Sequence, residues 1–158
     1  MRLLSLEVQN YRNIASASLI PGRELTVLCG NNGQGKTNLL EAIWLLTGGK
    51  SFRGGKDAEL VRRGEPFAVL EASTLRAQQE EQEPDEPNRV RLTVGTPDSQ
   101  RPGRYASVNG AAPRRAAGLA GSFPAVVFDP GHLSRSREHP RGGANFWMPP
   151  SASSTPAT

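Results

Sequence analysis

The sequence predicts an α/β domain with an added antiparallel β layer, and three observations carry that prediction. A short apolar run, Leu25-Thr26-Val27-Leu28-Cys29, leads through a glycine-rich stretch into a helical pattern. An alternating segment precedes it, with Leu4, Leu6 and Val8 on one side and Ser5, Glu7 and Gln9 on the other, as in a half-buried strand. Downstream, β-rich segments lead up to Asn109-Gly110, a type I′ turn signal for a hairpin.

Ile14 to Ile20 is a second strand candidate, and Pro21-Gly22 is a turn. The continuous apolar character of residues 25–29 predicts a strand covered on both faces, with Cys29 as a small core residue. Asn38 to Leu46 reads as a helix with a broad apolar face from Leu39, Leu40, Ile43, Trp44 and Leu46, ended by Gly48-Gly49. Glu80-Glu81-Gln82-Glu83-Pro84-Asp85-Glu86-Pro87 is an acidic run of the kind found in solvated loops. Val90-Arg91-Leu92-Thr93-Val94 and Tyr105 to Val108 look like strands, and Ala125-Val126-Val127-Phe128 is one more short buried strand candidate. From about Ser134 the chain turns polar, and residues 149–158 contain only Pro, Ser, Ala and Thr, too little apolar surface to offset the entropy of ordering.

Composition excludes several classes. The chain has 158 residues, 36% hydrophobic and 22% charged, which suits one globular domain. No apolar stretch approaches the roughly 18–20 residues that cross a bilayer, and no partner membrane is expected. The first residues show no apolar run before a small-residue cleavage site, so a cytoplasmic address is expected. One cysteine allows no internal disulfide and no cysteine-based zinc site. His132 and His139 have no further ligand or nucleophile at useful spacing and read as surface residues. A net charge of +4 permits nucleic-acid binding without indicating it.

The strongest chemical signal is Gly30-Asn31-Asn32-Gly33-Gln34-Gly35-Lys36-Thr37, which matches G-x-x-x-x-G-K-[ST] at every defined position. Glycines let the backbone turn its N–H groups onto phosphates. Lys36 is a point charge for the β- and γ-phosphates, and the Thr37 hydroxyl is a magnesium ligand. The helix N-terminus adds a favourable dipole. The expected ligands are therefore ATP and Mg2+. Hydrolysis needs an acidic magnesium partner as well. Asp129 ends an apolar run, but Pro130 follows it, and a strand-end Asp before Pro is more often a turn former.

The loop and its flanks resemble the RecF family of bacterial DNA replication and repair proteins, SMC-like relatives of the ABC ATPases. Leu6-Glu7-Val8-Gln9-Asn10-Tyr11-Arg12-Asn13 resembles the family's opening strand and N-[FY]-R-N element. Residues 31–43 resemble its phosphate loop and first helix. Ser51-Phe52-Arg53 with Asp57, Glu59-Leu60 and Arg63-Gly64 resembles its S-F-R…D-x-E-L-[IV]-R-x-G segment. Asn109-Gly110, and residues 123–128 with Pro130 and Leu133, resemble two later landmarks. The resemblance implies the N-terminal part of a P-loop ABC/SMC-like ATPase head over residues 1–134. It implies an ATP-dependent homodimer that binds single-stranded or gapped double-stranded DNA, with RecO and RecR as partners, in replication, recombinational repair and the SOS response. It makes Arg12 and Arg53 candidates for holding the nucleotide or its transition-state charge. Arg62-Arg63 and Arg114-Arg115 are candidate phosphate contacts, although each pair alone reads more simply as a solvated basic face. It also places Asp129 well before the family's Walker B strand.

Two family features, the L-S-x-G-Q-like signature and the Walker B strand, do not occur in these residues. A nucleotide-binding but catalytically inert fragment, or another P-loop NTPase, is the alternative. The tail offers a reason. Where the family continues R-R-x-F-L-D, this chain reads Asn145-Phe146-Trp147-Met148. Trp and Met have the single codons TGG and ATG, and a preceding C in the shifted frame gives Leu-Asp. The expectation is that the reading frame slips close to Arg135, and that residues 135–158 are an out-of-frame, disordered tail.

Overall fold

The computed structural model describes residues 1–75, 86–112, 114–119 and 121–128. Its core is one antiparallel sheet. Strands β1 (Arg2–Tyr11), β2 (Ile14–Leu19), β3 (Phe67–Leu75), β4 (Asn88–Gly95), β5 (Gly103–Val108) and β6 (Arg114–Arg115) lie in the order β2-β1-β3-β4-β5-β6. One α-helix, α1 (Lys36–Leu45), and two 3-10 turns, Asp57–Leu60 and Ala116–Leu119, complete the described elements. All of them fall in the compact unit Met1–Val127.

Strand alternation decides which sheet face is buried. Leu6 and Val8 of β1, Ala68, Leu70 and Ala72 of β3, and Val90, Leu92 and Val94 of β4 form the apolar face. Ala42, Leu45 and Leu46 at the end of α1 join the same cluster, with Leu60, Leu119 and Phe123. Each fully buried leucine there contributes about 1.5–3 kcal/mol of apolar transfer free energy. The opposite face is polar. Glu71 of β3 lies there with Arg91 at 3.5 Å and Arg89 at 3.9 Å, exposed pairs of small energetic weight.

The alternation expected for β1 breaks at its start. The register passes from Leu3↔Thr74 to Ser5↔Ser73, so Leu4 is an extra residue in a β-bulge. Leu3, not Leu4, therefore packs against the core. Leu4 instead borders a hollow on the polar face beside Glu71, Ser73 and Arg89.

Two predicted strands are not formed. Residues 25–29 carry no strand, Leu25 and Val27 are 80% and 70% exposed, and Cys29 is exposed rather than in the core. Residues 125–128 likewise carry no strand, and Val126 is 96% exposed. The reason is the same for both. An apolar run becomes a strand only when a neighbour accepts its N–H and C=O groups, and no described strand pairs with either run. The apolar face expected for the helix also shifts. Asn38, Glu41, Ala42 and Leu45 are its buried residues, Leu39 and Ile43 only partly pack against the core, and Leu40 is 50% exposed.

The turn at Asn109-Gly110 forms as expected, with φ of +51° and +73° and a bond from the Ala111 N–H to the Val108 carbonyl. It does not close a two-residue hairpin, because β6 pairs with β5 only at Tyr105 and Ala106. Asn109 instead ties β5 to β4: the Arg89 N–H donates to Asn109 Oδ1, and the Asn109 N–H donates to the Arg89 carbonyl, both at 2.8 Å. Asp129, Pro130, His132, Leu133, His139, most of the acidic run and the whole of the tail 135–158 lie outside the described residues.

Candidate nucleotide-binding site

The phosphate loop stands at the N-terminus of α1, as the sequence predicts. Gly35 caps the helix in the left-handed region at φ +96°. A Cβ there would sit 3.1 Å from both Asn13 Oδ1 and Ile14 Cγ1. Backbone conformation and close packing therefore both require glycine. No side chain caps the helix and no acidic residue lies in its first turn. The first-turn N–H groups and the positive end of the helix dipole are therefore left open to an anion. Lys36 Nζ donates to the carbonyls of Gly30 (2.6 Å) and Asn31 (2.7 Å), which holds the ammonium over the loop it belongs to. Asn31, Asn32, Gln34 and the Thr37 hydroxyl are exposed on the same loop. A lysine charge, free N–H groups and an exposed hydroxyl form a donor set that fits a magnesium-bound triphosphate.

The turn between β1 and β2 braces this loop. Asn13 Nδ2 donates to the Gly33 carbonyl at 2.7 Å, and Asn38 Nδ2 of α1 donates to Asn13 Oδ1 at 2.6 Å. Asn38 Oδ1 is buried without a partner among the described residues. The turn is strained at Arg12, whose φ of +53° costs about 1–2 kcal/mol at such a residue; Asn10, at the end of β1, has φ +51°, which asparagine tolerates. Residues 60–62 hold it in place. The Arg12 N–H donates to the Leu60 carbonyl, the Arg62 N–H donates to the Asn10 carbonyl, and Tyr11 bridges Val61.

Beside it lies a buried polar cluster. Glu41 of α1 is fully buried, and its carboxylate accepts from Tyr11 Oη (2.6 Å), Arg12 Nε (3.0 Å), Arg12 Nη2 (2.8 Å) and Ser51 Oγ (2.5 Å). Burial alone raises the Glu41 carboxyl, but the hydrogen bonds from Arg12, Ser51 and Tyr11 outweigh it and hold the group below its ordinary value. The bond to Glu41 holds Arg12 firmly protonated. Burial, reinforced by the Glu41 carboxylate, pushes the Tyr11 phenol well above its ordinary value. Arg12, Asn13, Asn38, Val61 and Arg63 border an open cleft of about 570 Å³.

The structure thus ties Arg12 to Glu41, next in sequence to the Asn13 that bonds the loop, and leaves Arg53 at the surface. Arg62 pairs with Glu65 at 3.8 Å, both side chains partly exposed, as the simpler solvated reading of that arginine expects. Among the described residues no group of three His, Cys, Asp or Glu side chains is placed to hold a metal ion. Sequence reasoning assigned no role to Glu41, Tyr11 or Ser51. No local signal marked Glu41, because the stripe it shares with Asn38, Ala42 and Leu45 is not the apolar face that Leu39, Leu40, Ile43, Trp44 and Leu46 predict.

A family profile described as the RecF/RecN/SMC N terminal domain matches residues 2–138. The chain belongs to that family. Curated relatives include the "DNA replication and repair protein RecF" of Syntrophotalea carbinolica, 37% identical over 90% of this chain and 36% of its own length. The protein of the same name from Anaeromyxobacter dehalogenans is 40% identical over 92% of this chain and 37% of its own length. The chain therefore spans about a third of the length of these relatives. Among solved structures, "the recombination mediator protein RecF-ATP in RecFOR pathway" matches at TM-score 0.74 and 29% identity, over 88% of this chain and 35% of that one. A structure from work on ATP-driven dimerization of SMC ATPases matches at TM-score 0.69 over 93% of its own length; at 16% identity it shows the fold alone. The fold is that of the N-terminal part of an SMC/RecF ATPase head, with an antiparallel sheet. Among the described residues no helix is long and apolar enough to cross a membrane.

Proposed function

We propose that this chain binds ATP and Mg2+ at residues 30–37, as the nucleotide-binding N-terminal part of a RecF-type protein. The observation that carries this reading is the complete phosphate loop on α1, with Lys36 held over the loop carbonyls and uncapped N–H groups behind it. Thr37 supplies the magnesium ligand. Similarity to RecF proteins supports a role in DNA replication, recombinational repair and the SOS response in the cytoplasm. In that role the whole protein dimerises on ATP, binds single-stranded or gapped duplex DNA through phosphate contacts, and works with RecO and RecR. Residues 1–134 form the head portion, and residues 135–158 are the out-of-frame tail. Resequencing the source DNA across codons 130–150 tests the tail: an extra or missing base near codon 135 is expected, and an unbroken frame refutes it.

Equilibrium titration of the chain with a fluorescent ATP analogue tests the site. Lys36→Ala is expected to abolish binding, and unchanged affinity rejects the reading. A second reading, binding without turnover, is favoured by the exposed run that leads into the loop, with which no described strand pairs. ATP hydrolysis stimulated by DNA separates the two: turnover supports an ATPase, and binding without turnover supports the inert form.

A further inference from the structure

The buried cluster under the loop has a use beyond packing. We infer that Glu41 is a positioning residue: it sets the Arg12 guanidinium, and through Ser51 the start of the following loop, relative to the phosphate loop. The inference rests on the nucleotide reading above and deepens it.

A fully buried carboxylate is unfavourable unless nearly all its acceptor capacity is used. Glu41 meets that demand with four donors on three residues from two separate parts of the chain: Tyr11 and Arg12 at the end of β1, and Ser51 after the helix. An alanine or leucine at this position on the helix stripe would fill the core without drawing these segments together. The charge therefore specifies geometry that apolar packing leaves open.

What it fixes is an arginine. Two guanidinium nitrogens of Arg12, Nε and Nη2, hold the two carboxylate oxygens in a fork. Nη1 donates to the Glu59 carbonyl and Nη2 also reaches Ser51 Oγ, both at 3.3 Å. The guanidinium is thus held in one orientation. The next residue, Asn13, is bonded to the Gly33 carbonyl of the phosphate loop. Glu41 is five positions after Lys36 on one continuous helix, a separation of about 7.5 Å along the axis. Lysine and arginine charges are therefore registered to each other through a single rigid element. The strained φ of Arg12 is consistent with a side chain whose place is imposed by its partners.

A double-mutant cycle on the 158-residue chain tests this, read as affinity for mant-ATP with the circular-dichroism melt recorded in parallel. Glu41→Gln keeps the volume and loses the charge. If Glu41 acts through Arg12, it weakens binding about tenfold in the unsubstituted chain, and it adds nothing in an Arg12→Ala background. The same loss in both backgrounds means Glu41 serves folding alone and overturns the inference. If Glu41→Gln does not fold, Ser51→Ala and Tyr11→Phe, each removing one donor, replace it in the same cycle with the same criterion. Binding that is absent, or indifferent to Lys36→Ala, rejects the nucleotide reading and the inference with it. Lys36-dependent binding with additive losses rejects only the inference.

Discussion

Residues 90–94 and residues 25–29 are both short runs rich in Val, Leu and Thr, and they end in opposite states. The first lies inside β4, paired with β3 on one side and β5 on the other, with Val90, Leu92 and Val94 fully buried. The second pairs with no described strand and exposes Leu25 and Val27. Local propensity is nearly equal in the two runs. What separates them is whether neighbours accept their backbone groups, so a strand is a property of the sheet rather than of the segment.

Matched truncations test this contrast. Leu92→Ala, at a fully buried position, is expected to lower stability by about 2–5 kcal/mol, while Leu25→Ala stays within about 0.5 kcal/mol. Urea unfolding of both variants decides it, and a comparable loss at Leu25 would show that residues 25–29 are paired in solution. The two sides of the phosphate loop extend the comparison, since its trailing side is anchored where its leading side is not. Removing the anchor with Glu41→Gln is expected to cost about 1–3 kcal/mol at neutral pH. Because the native carboxyl is held below its ordinary value, that stabilisation is complete above about pH 4.3 and is lost as the pH falls through the folded-state value. The gap between melts of the two proteins should narrow as the pH falls below about 4.3; a constant gap down to about pH 3 would show that the charge is not what stabilises. Gly35→Ala, which forces a Cβ into the left-handed helix cap, is expected to cost about 1–2 kcal/mol in the same unfolding assay.

Much of this was legible from the residues. Alternation identified β1, and β-rich runs identified the centre of β4 and the end of β5. The glycine-lysine-threonine pattern placed the loop and the helix that follows it. β3 was not identified, although it is a central strand. Phe67–Leu75 contains Ala, Leu and Glu, which favour helix, and only its pairing with β1 and β4 makes it extended. The site was legible where it follows the motif and silent where it depends on tertiary approach. Arg12 entered through family resemblance, but its partnership with Glu41 spans 29 residues and leaves no local spacing to read. The burial of Glu41 was not legible either, because the predicted apolar face of the helix lay on Leu39, Leu40, Ile43, Trp44 and Leu46, away from Glu41.

The bulge in β1 bears on how this chain tolerates changes in length. Removing one residue from a strand ordinarily exchanges its two faces and exposes the core. Here Leu3 and Ser5 already face adjacent partners, Thr74 and Ser73, with Leu4 held outside the ladder. Deleting Leu4 would leave Leu3 inward, Ser5 outward and Leu6 inward, an unbroken alternation. The strand thus carries a built-in spacer near its beginning. A one-residue deletion is expected to be absorbed at position 4 and to unfold the sheet at position 7, a contrast that thermal melts of the two deletion variants can score.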